Sequence, residues 1–286
     1  MRQILTALML FLVSQVFSQS GELFYLWPEK VPGEVKEKHK PVIDTVRKDG
    51  VLRYAEITDP VIEVWLTKVG KGKRPAVIIC PGGAYSYLAY RKEGTEIAEW
   101  INNCGYNAFI LQYRVPDKRT GALQDAQRAL RIIRGKADEW NTDAGKVGIM
   151  GFSAGGSLSV RTSTLFKQRT YEPVDRNDSL SCRPDFTLPI YPAYLDLGEN
   201  RALTPELRIG SDAPPMFIFQ SADDQYGNSS IVLAGALRDA KVPVEFHLVA
   251  TGGHGYGKRP GNAAAETWPL LAEKWLKNLI VTKKNP

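Results

Sequence analysis

Apolar and polar positions form blocks along most of the chain, and these blocks have the lengths of strands and helices. "VIEVWLT" (Val61 to Thr67) alternates every two residues, as a half-buried strand does, whereas "PAVIICPGG" is a continuous apolar run that ends in a Pro-Gly-Gly turn. The same reasoning predicts buried strands at "YNAFILQYRV", "KVGIM", "FTLPIYPAY", "PPMFIFQS" and "VPVEFHLV".

Between these strands, a spacing of three to four residues predicts helices. "TEIAEWINNCG" indicates a short helix closed by Gly105, and further helical stretches lie around residues 230–240 and 266–279. A longer helix is predicted after the strand "YNAFILQYRV". Apolar residues recur on one of its faces, and the opposite positions are charged. The apolar positions are Leu123, Ala126, Leu130, Ile133, Ala137 and Trp140, and the charged ones are Asp125, Arg128, Arg131 and Arg134. Alternating strands and helices predict an α/β fold with a mostly parallel central sheet and helices on both faces.

The first 55 residues do not follow this pattern. Residues 1–20 place Arg2 before an apolar stretch from Ile4 to Phe17, with small and polar residues after it. That layout predicts a secretory signal peptide, cleaved after Ser18 or Ser20, although a membrane anchor begins in the same way. Residues 21–55 are polar and rich in turn residues, and we expect an extended segment that lies over a main domain of residues 56–286. The protein is therefore expected to be exported, either secreted or periplasmic.

Composition and charge exclude several classes of partner. The 286 residues carry a formal charge of +6, but the basic residues are scattered, so nucleic-acid binding has little support. No later apolar run is long enough to span a bilayer, and no membrane partner is expected after signal cleavage. The three cysteines, Cys80, Cys104 and Cys182, permit one disulfide whose partners the sequence does not choose. No Cys/His cluster has the spacing of a zinc site, so neither a metal nor an organic cofactor is predicted.

The most informative short motif is Gly151-Phe152-Ser153-Ala154-Gly155, which has the form G-x-S-x-G and follows the strand "KVGIM". In this motif the serine occupies a strained strand-to-helix turn, where only small neighbours fit, and acts as a nucleophile. A glycine-rich turn whose serine merely caps the following helix would show the same residues. The neighbouring chemistry has to decide between the two.

A nucleophilic serine needs a base, and the base needs an orienting carboxylate. Of three histidines, His39 lies in the polar N-terminal segment and His247 lies inside a predicted strand. His254, in "TGGHGYG", follows a strand among glycines that let it reach across the sheet edge, and we predict that it is the base. A histidine that only fills a turn is the competing interpretation.

The acid should lie between the serine and the histidine, where "FIFQSADDQYGNS" supplies Asp223 and Asp224 just after a strand. Asp224 is the favoured acid. Asp223 is then expected to cap the turn or the following helix, and Asp196 is a more distant alternative.

The oxyanion of acyl transfer needs preorganised N–H donors. The backbone of Ala154 offers one, and the small-residue loop "CPGGAY" offers others at Gly83 and Ala84. A plain Pro-Gly turn is the alternative. Tyr85, Tyr87 and Tyr90 follow this loop and are candidates either for stacking on sugar rings or for ordinary packing.

These residues belong to a longer stretch of the chain that is similar to a known family. The segments "CPGGAYSYLAYRKEG", "LQYRVP", "DAQRALRIIRGKADEWNTDAGKVGIMGFSAGGSLS", "RPDFTLPIYPAY", "PPMFIFQSADD" and "GGHGYG" together resemble α/β-hydrolase esterases of the acetyl xylan esterase, feruloyl-esterase-like group, from about Asp59 to Leu279. The resemblance implies Ser153 as nucleophile, Asp224 as acid, His254 as base, and Gly83, Ala84 and Ala154 as oxyanion donors. Ala84 stands where relatives commonly have a third glycine, which leaves the size of the acyl group open.

The predicted function is therefore an exported serine carboxylesterase that removes acetyl or other small acyl groups from xylan or a related carbohydrate. The alternatives are a peptidase or lipase-like hydrolase on the same residues, and a non-catalytic carbohydrate-binding protein that has kept the fold. The sequence does not reveal the oligomeric state.

Overall fold

The computed structural model describes residues 21–44 and 49–282, so the predicted signal peptide and its cleavage site lie outside the described residues. The strands from residue 61 onward follow the order of the predicted apolar blocks, whereas three shorter strands lie in the N-terminal segment, where no strand was predicted. They are β1 (Glu22–Tyr25), β2 (Val42–Asp44), β3 (Arg53–Ala55), β4 (Val61–Trp65), β5 (Arg74–Cys80), β6 (Asn107–Gln112), β7 (Thr142–Phe152), β8 (Thr187–Ile190), β9 (Met216–Ser221) and β10 (Val244–Val249).

The helices also follow the predicted order. They are α1 (Glu96–Asn103), α2 (Arg119–Gly135), α3 (Ala154–Thr164), α4 (Gly227–Asp239) and α5 (Ala263–Thr282). Gly105 has a φ of 84° just after α1, as expected of a glycine that ends a helix. The helix α2 ends earlier than its apolar spacing suggested, so Ala137 and Trp140 pack from the turn that follows it.

The central sheet has the strand order β1-β4-β6-β5-β7-β8-β9-β10. From β6 to β10 every neighbouring pair is parallel, whereas β4 runs antiparallel to β6 and β1 runs antiparallel to β4. The predicted fold class, an α/β-hydrolase-like sheet that is mostly parallel, is therefore confirmed. Because the carboxyl ends of the parallel strands share one edge, the loops that follow β5, β7, β9 and β10 meet there.

Helices cover both faces of this sheet. Along β5, Ala76 and Ile78 belong to the core under α2 and α3, while Val77 and Ile79 belong to the core under α1 and α5. This two-residue alternation of buried side chains explains why β5 is apolar throughout. The strand β9 behaves in the same way and also supports α4.

The N-terminal segment takes a larger part in the fold than an extended cover would. Its strand β1 adds an edge to the central sheet, with Glu22 opposite Val64 and Tyr25 opposite Val61. The strand β3 makes a bridge between Tyr54 and Leu88, which lies just beyond the "CPGGAY" loop. The proposed division of the chain at residue 55 stays a prediction, but the two parts share one sheet.

The charged face of α2 is buried, although the sequence pattern placed it opposite the apolar face. Asp125 accepts hydrogen bonds from Trp27 Nε1 (2.9 Å) and from the Arg114 side chain, whose Nη2 lies 2.9 Å from Asp125 Oδ1. Arg128 pairs with Asp175 and Asp178 at 2.6 and 2.9 Å. The N-terminal segment supplies Trp27, the turn after β6 supplies Arg114, and the loop after α3 supplies Asp175 and Asp178, so other parts of the protein cover most of this face.

All three cysteines are free thiols, and Cys80 is buried in the core. Within residues 21–44 and 49–282, none of the helices combines the length and the apolar character that crossing a membrane requires.

Candidate active site

The turn between β7 and α3 explains why small residues flank Ser153. Ser153 has φ 51° and ψ −116°, a conformation that costs free energy for a residue with a Cβ. A Cβ on Gly151 would lie 2.0 Å from the carbonyl oxygen of Gly155, and one on Gly155 would lie 1.9 Å from that of Cys80. Both positions therefore require glycine, because backbone packs directly against backbone. The tight turn lifts the serine hydroxyl out of the sheet edge.

Ser153, His254 and Asp224 form a continuous hydrogen-bonded chain. The Ser153 hydroxyl lies 2.8 Å from His254 Nε2, and His254 Nδ1 lies 2.7 Å from Asp224 Oδ2. With the Nδ1 proton facing the carboxylate, Nε2 is free to accept the serine proton. The Asp224 side chain is fully buried and that of His254 is 24% exposed, so the carboxylate is shielded while the imidazole reaches the surface.

The two neighbouring aspartates have different partners. The second oxygen of Asp224 accepts a hydrogen bond from the backbone N–H of Tyr226 at 2.9 Å, which fixes the carboxylate. Asp223 accepts from the N–H groups of Gly252 and Gly253, at 3.2 and 2.9 Å. These N–H groups lower the pKa of Asp223. Asp223 therefore anchors the loop that carries His254 and does not cap α4, the helix that follows Asp223 along the chain.

The third aspartate considered, Asp196, lies outside this chain. It accepts hydrogen bonds from Ser229 Oγ (2.6 Å) and Asn228 Nδ2 (2.9 Å) and pairs with Arg201. The other two histidines also have partners elsewhere: His247 Nε2 contacts Glu245, and His39 Nδ1 contacts the carbonyl of Lys40.

The "CPGGAY" loop adopts a tight turn beside Ser153. Gly83 has a φ of 134°, and a Cβ there would lie 2.0 Å from the carbonyl oxygen of Tyr87, so only glycine fits. Ala84 follows with a φ of 57°. Among the described residues, the N–H groups of Gly83 and Ala84 have no protein acceptor, and the N–H of Ala154 heads α3, where helices leave such donors free.

A pocket of about 210 Å³ surrounds Ser153 and His254. Gly83 and Ala84 line it, whereas Ala154 is fully buried at the start of α3. Of the three tyrosines after the loop, only Tyr87 lines the pocket. Tyr85 is buried, and Tyr90 stacks on Tyr54 with ring centroids 4.0 Å apart, so these two serve packing.

Several pocket residues were not found from the sequence. They share no motif, because they come from separate parts of the chain that only the fold brings together. They are Val51, Arg53, Lys92, Glu93, Tyr194, Gln225 and Tyr226. The only sequence signal was proximity: Lys92 and Glu93 lie within a segment that carries the family resemblance, and Gln225 and Tyr226 directly follow Asp224.

In the part of the chain that the structure describes, no group of three or more histidine, cysteine or acidic side chains is arranged to hold a metal ion. The chemistry that the pocket offers is that of the serine hydroxyl, the imidazole, the buried carboxylate and the free backbone N–H groups.

The chain is similar to several known hydrolases. Residues 62–182 match the BD-FAE family. An acetylxylan esterase of Xylanibacter ruminicola is 32% identical over 244 residues, which cover 73% of this chain and 47% of that protein. Endo-1,4-beta-xylanase B of Butyrivibrio fibrisolvens is 32% identical over 213 residues, 64% of this chain and 32% of that protein. The chain thus spans less than half the length of these two curated relatives.

A solved structure covers nearly the whole chain. The acetyl ester-xyloside bifunctional hydrolase from Caldicellulosiruptor lactoaceticus superposes with a TM-score of 0.74 at 28% identity, over 91% of this chain and 97% of that one. The similarity therefore extends well beyond residues 62–182, the segment matched by the family.

Proposed function

Since residues 62–182 match the BD-FAE family and the sheet is that of an α/β hydrolase, we propose that the chain is a serine carboxylesterase that removes acetyl or other small acyl groups from xylan or a related carbohydrate. The observation that carries the proposal is the hydrogen-bonded chain from Ser153 through His254 to Asp224, at 2.8 and 2.7 Å. Such a chain activates a hydroxyl that is otherwise a weak nucleophile.

In the first step, Ser153 Oγ attacks the ester carbonyl while His254 Nε2 takes its proton. The buried carboxylate of Asp224 stabilises the imidazolium and holds it in the orientation needed for transfer. Negative charge then develops on the former carbonyl oxygen. The N–H groups of Gly83, Ala84 and Ala154 are the donors available to stabilise it.

In the second step, His254 gives the proton to the sugar oxygen, which leaves as an alcohol. A water molecule then enters and loses a proton to His254 as it attacks the acyl-serine. Collapse of this second tetrahedral intermediate releases the carboxylic acid and restores the Ser153 hydroxyl. The partly exposed face of His254 allows water to reach the site, which this step requires.

The substrate class is supported by the pocket and by the relatives. A volume of about 210 Å³ suits a small acyl group, and it lies below the usual range for drug-sized ligands. Polar and aromatic side chains, including Arg53, Tyr87 and Tyr194, line it and suit a hydroxylated leaving group. The curated relatives are an acetylxylan esterase and a xylanase by name. Export through a signal peptide at residues 1–20 remains part of the proposal.

A substrate panel with one inactive variant tests this function. The purified protein would be assayed on acetylated xylan, on feruloylated oligosaccharides and on nitrophenyl esters of rising chain length. We expect hydrolysis of acetylated xylan and of nitrophenyl acetate, both abolished in Ser153→Ala. Faster hydrolysis of octanoyl than of acetyl esters would favour the lipase-like alternative, and activity retained in Ser153→Ala would refute the mechanism.

A further inference from the structure

A buried carboxylate outside the hydrogen-bonded chain lies on the wall of the active-site pocket. Glu93 belongs to one π-helical turn, Arg91–Thr95, that precedes α1. Only 3% of Glu93 is exposed. Turns of this kind are uncommon within helices and are frequent at functional sites. Glu93 contacts neither Ser153 Oγ nor His254 through a hydrogen bond, so the proposed mechanism leaves it without a role.

The two oxygens of Glu93 hold two different parts of the site. Oε2 accepts a hydrogen bond from the backbone N–H of Gly82 at 2.7 Å, in the loop that carries the expected oxyanion donors. Oε1 accepts from the Tyr191 hydroxyl at 2.8 Å. The Tyr191 oxygen in turn accepts from the backbone N–H of Gly257 at 2.9 Å, in the loop that carries His254. Glu93 thus connects the oxyanion loop to the histidine loop through one phenol.

The neighbouring residue strengthens this connection. Lys92 Nζ donates a hydrogen bond to the carbonyl oxygen of Gly255, the residue directly after His254, at 2.6 Å. A Cβ on Gly257 would lie 2.8 Å from Cγ of Lys92, so the histidine loop packs closely on this side chain. Two consecutive residues of one turn therefore hold the loop that bears the base.

The packing around Gly82 leaves no room for adjustment. A Cβ on Gly82 would lie 2.7 Å from Glu93 Oε2, 2.7 Å from the carbonyl oxygen of Phe152 and 3.0 Å from Cβ of Ser153. The oxyanion loop is therefore held between Glu93 on one side and the nucleophile turn on the other. A shift of the Glu93 carboxylate would move the neighbouring donors relative to Ser153.

The chemistry of the connection requires a carboxylate. Gly82 N–H and Tyr191 O–H both donate, and an ionised carboxylate is the side-chain group of this size that accepts at both oxygens. Burial, with Glu93 beside it, raises the pKa of Tyr191 well above its ordinary value, so the phenol keeps the proton that it donates. A glutamine would offer one acceptor and one donor. Either its NH₂ group would face the N–H of Gly82, or the Tyr191 hydroxyl would have to accept and direct its own proton elsewhere.

We propose that Glu93 is a positioning residue, which fixes the oxyanion loop and the histidine loop relative to Ser153 through Gly82 and Tyr191. This inference rests on the proposed esterase function and deepens it. Since preorganised donors act on the transition state more than on bound substrate, loss of Glu93 should lower kcat and leave KM nearly unchanged.

The test compares three variants with the wild type: Glu93→Gln, Tyr191→Phe and Glu63→Gln. Glu63 is a control for the loss of a buried carboxylate away from the site. It accepts at Oε1 from the backbone N–H of Gly21 and from Trp65 Nε1, and it does not line the active-site pocket. Each protein would be assayed for kcat and KM on nitrophenyl acetate, for Tm, and for inhibition by phenylboronic acid, which forms a tetrahedral adduct on an active serine.

In Glu93→Gln we expect kcat to fall roughly 10-fold to 100-fold, less than or equal to the loss from removing one oxyanion donor. KM should change less than threefold, and the boronate should bind more weakly by a factor similar to the loss in kcat. Tyr191→Phe should show the same pattern at smaller size, and it replaces Glu93→Gln as the decisive variant should the latter fail to fold. Glu63→Gln should keep the wild-type kcat.

Three outcomes would overturn the inference, and they are distinguishable. A wild type without esterase activity would refute the proposed function, and the inference with it. If the wild type is active and Glu93→Gln keeps kcat within twofold of it, the positioning role alone is refuted. If Glu93→Gln does not fold, the same result in Tyr191→Phe refutes it. A fall in kcat equal to that of Glu63→Gln, with a parallel fall in Tm, would also refute it.

Discussion

Two clusters of buried charge in this molecule use similar side chains and have different properties. One, here called the α2 ion cluster, comprises Arg114, Asp125, Arg128, Asp175 and Asp178. The other is the chain of Ser153, His254 and Asp224. Both lie beside the same sheet and both contain a fully buried aspartate, Asp125 in the first and Asp224 in the second.

The difference lies in how completely each cluster is satisfied. In the α2 ion cluster, Asp125 accepts from Trp27 Nε1, from the backbone N–H of Arg114 and from its guanidinium. Arg128 pairs with Asp178, which is buried, and with Asp175, which is partly exposed, so each buried charge has a partner of opposite charge. In the chain of Ser153, His254 and Asp224, the buried carboxylate supports an imidazole that is partly exposed. Beside it lie the backbone N–H groups of Gly83 and Ala84, which have no acceptor among the described residues. Complete pairing and burial indicate a structural role, whereas a shielded charge behind an accessible group indicates chemistry.

The largest effect expected from this comparison is on catalysis. Asp224→Asn should lower kcat for nitrophenyl acetate by about 10⁴-fold, because the neutral amide no longer favours the required histidine tautomer. Steady-state kinetics at constant pH would measure it. Asp196→Asn, which alters a carboxylate without contact to His254, should retain activity within a few-fold. Comparable losses in both variants would show that Asp224 has no special role.

The second effect is on stability. Asp125→Asn should destabilise the fold by about 3–5 kcal/mol, because it leaves the Arg114 guanidinium buried without its counter-charge. Urea unfolding would measure this loss, and kcat per folded molecule should stay near the wild-type value. The control is Asp138→Asn, which removes an exposed ion pair with Lys73 and should cause no measurable loss. An unchanged midpoint in Asp125→Asn would contradict the structural role.

A smaller effect concerns acid stability. Burial alone would raise the pKa of Asp178, but the N–H of Val174, the Tyr171 hydroxyl and Arg128 together lower it. A carboxyl with a lower pKa in the folded state stabilises the protein above its unfolded pKa, about 3.9, and loses that contribution as the pH falls through the folded pKa. Urea unfolding below about pH 4 should thus show a shallower decline of stability in Asp178→Asn. Parallel curves would refute this attribution.

The smallest effect concerns the acyl group. Ala84 is exposed and lines the pocket beside Gly83, so its methyl group should penalise longer acyl chains only mildly, by less than the ~1–3 kcal/mol of one methylene in a closed pocket. We expect kcat/KM to fall from acetyl through butyryl to octanoyl esters, and Ala84→Gly to flatten this fall. An identical slope in the variant would place the methyl group away from the acyl chain.

Much of the fold was predictable because its signals are local. The apolar runs predicted the strands β4 to β10 in order, and the three-to-four-residue spacing predicted the helices. Gly151 and Gly155 indicated the turn around Ser153. The hydrogen-bonded chain itself also followed from local signals, because only one of three histidines follows a strand in a glycine-rich loop. Its catalytic role stays a prediction.

What escaped prediction depends on contacts between distant segments. Periodicity places Arg128 on the polar face of α2 but does not reveal that Leu26 and Asp175 cover it. The same holds for Arg53, which lines the pocket because the strand β3 is bridged to Leu88, just beyond the "CPGGAY" loop. Glu93 lies in a segment of polar residues whose burial comes from the two loops that it connects. A local pattern carries no information about such partners.

The most direct test of the central claim, that Ser153 is the nucleophile, is covalent labelling. The wild type and Ser153→Ala would be treated with diethyl nitrophenyl phosphate, and the peptides analysed by mass spectrometry. We expect one diethylphosphoryl group per wild-type molecule, located on Ser153, with activity lost in proportion to labelling, and no label on the variant. Label on another residue, or a protein that is fully labelled on Ser153 and still hydrolyses nitrophenyl acetate, would contradict the account.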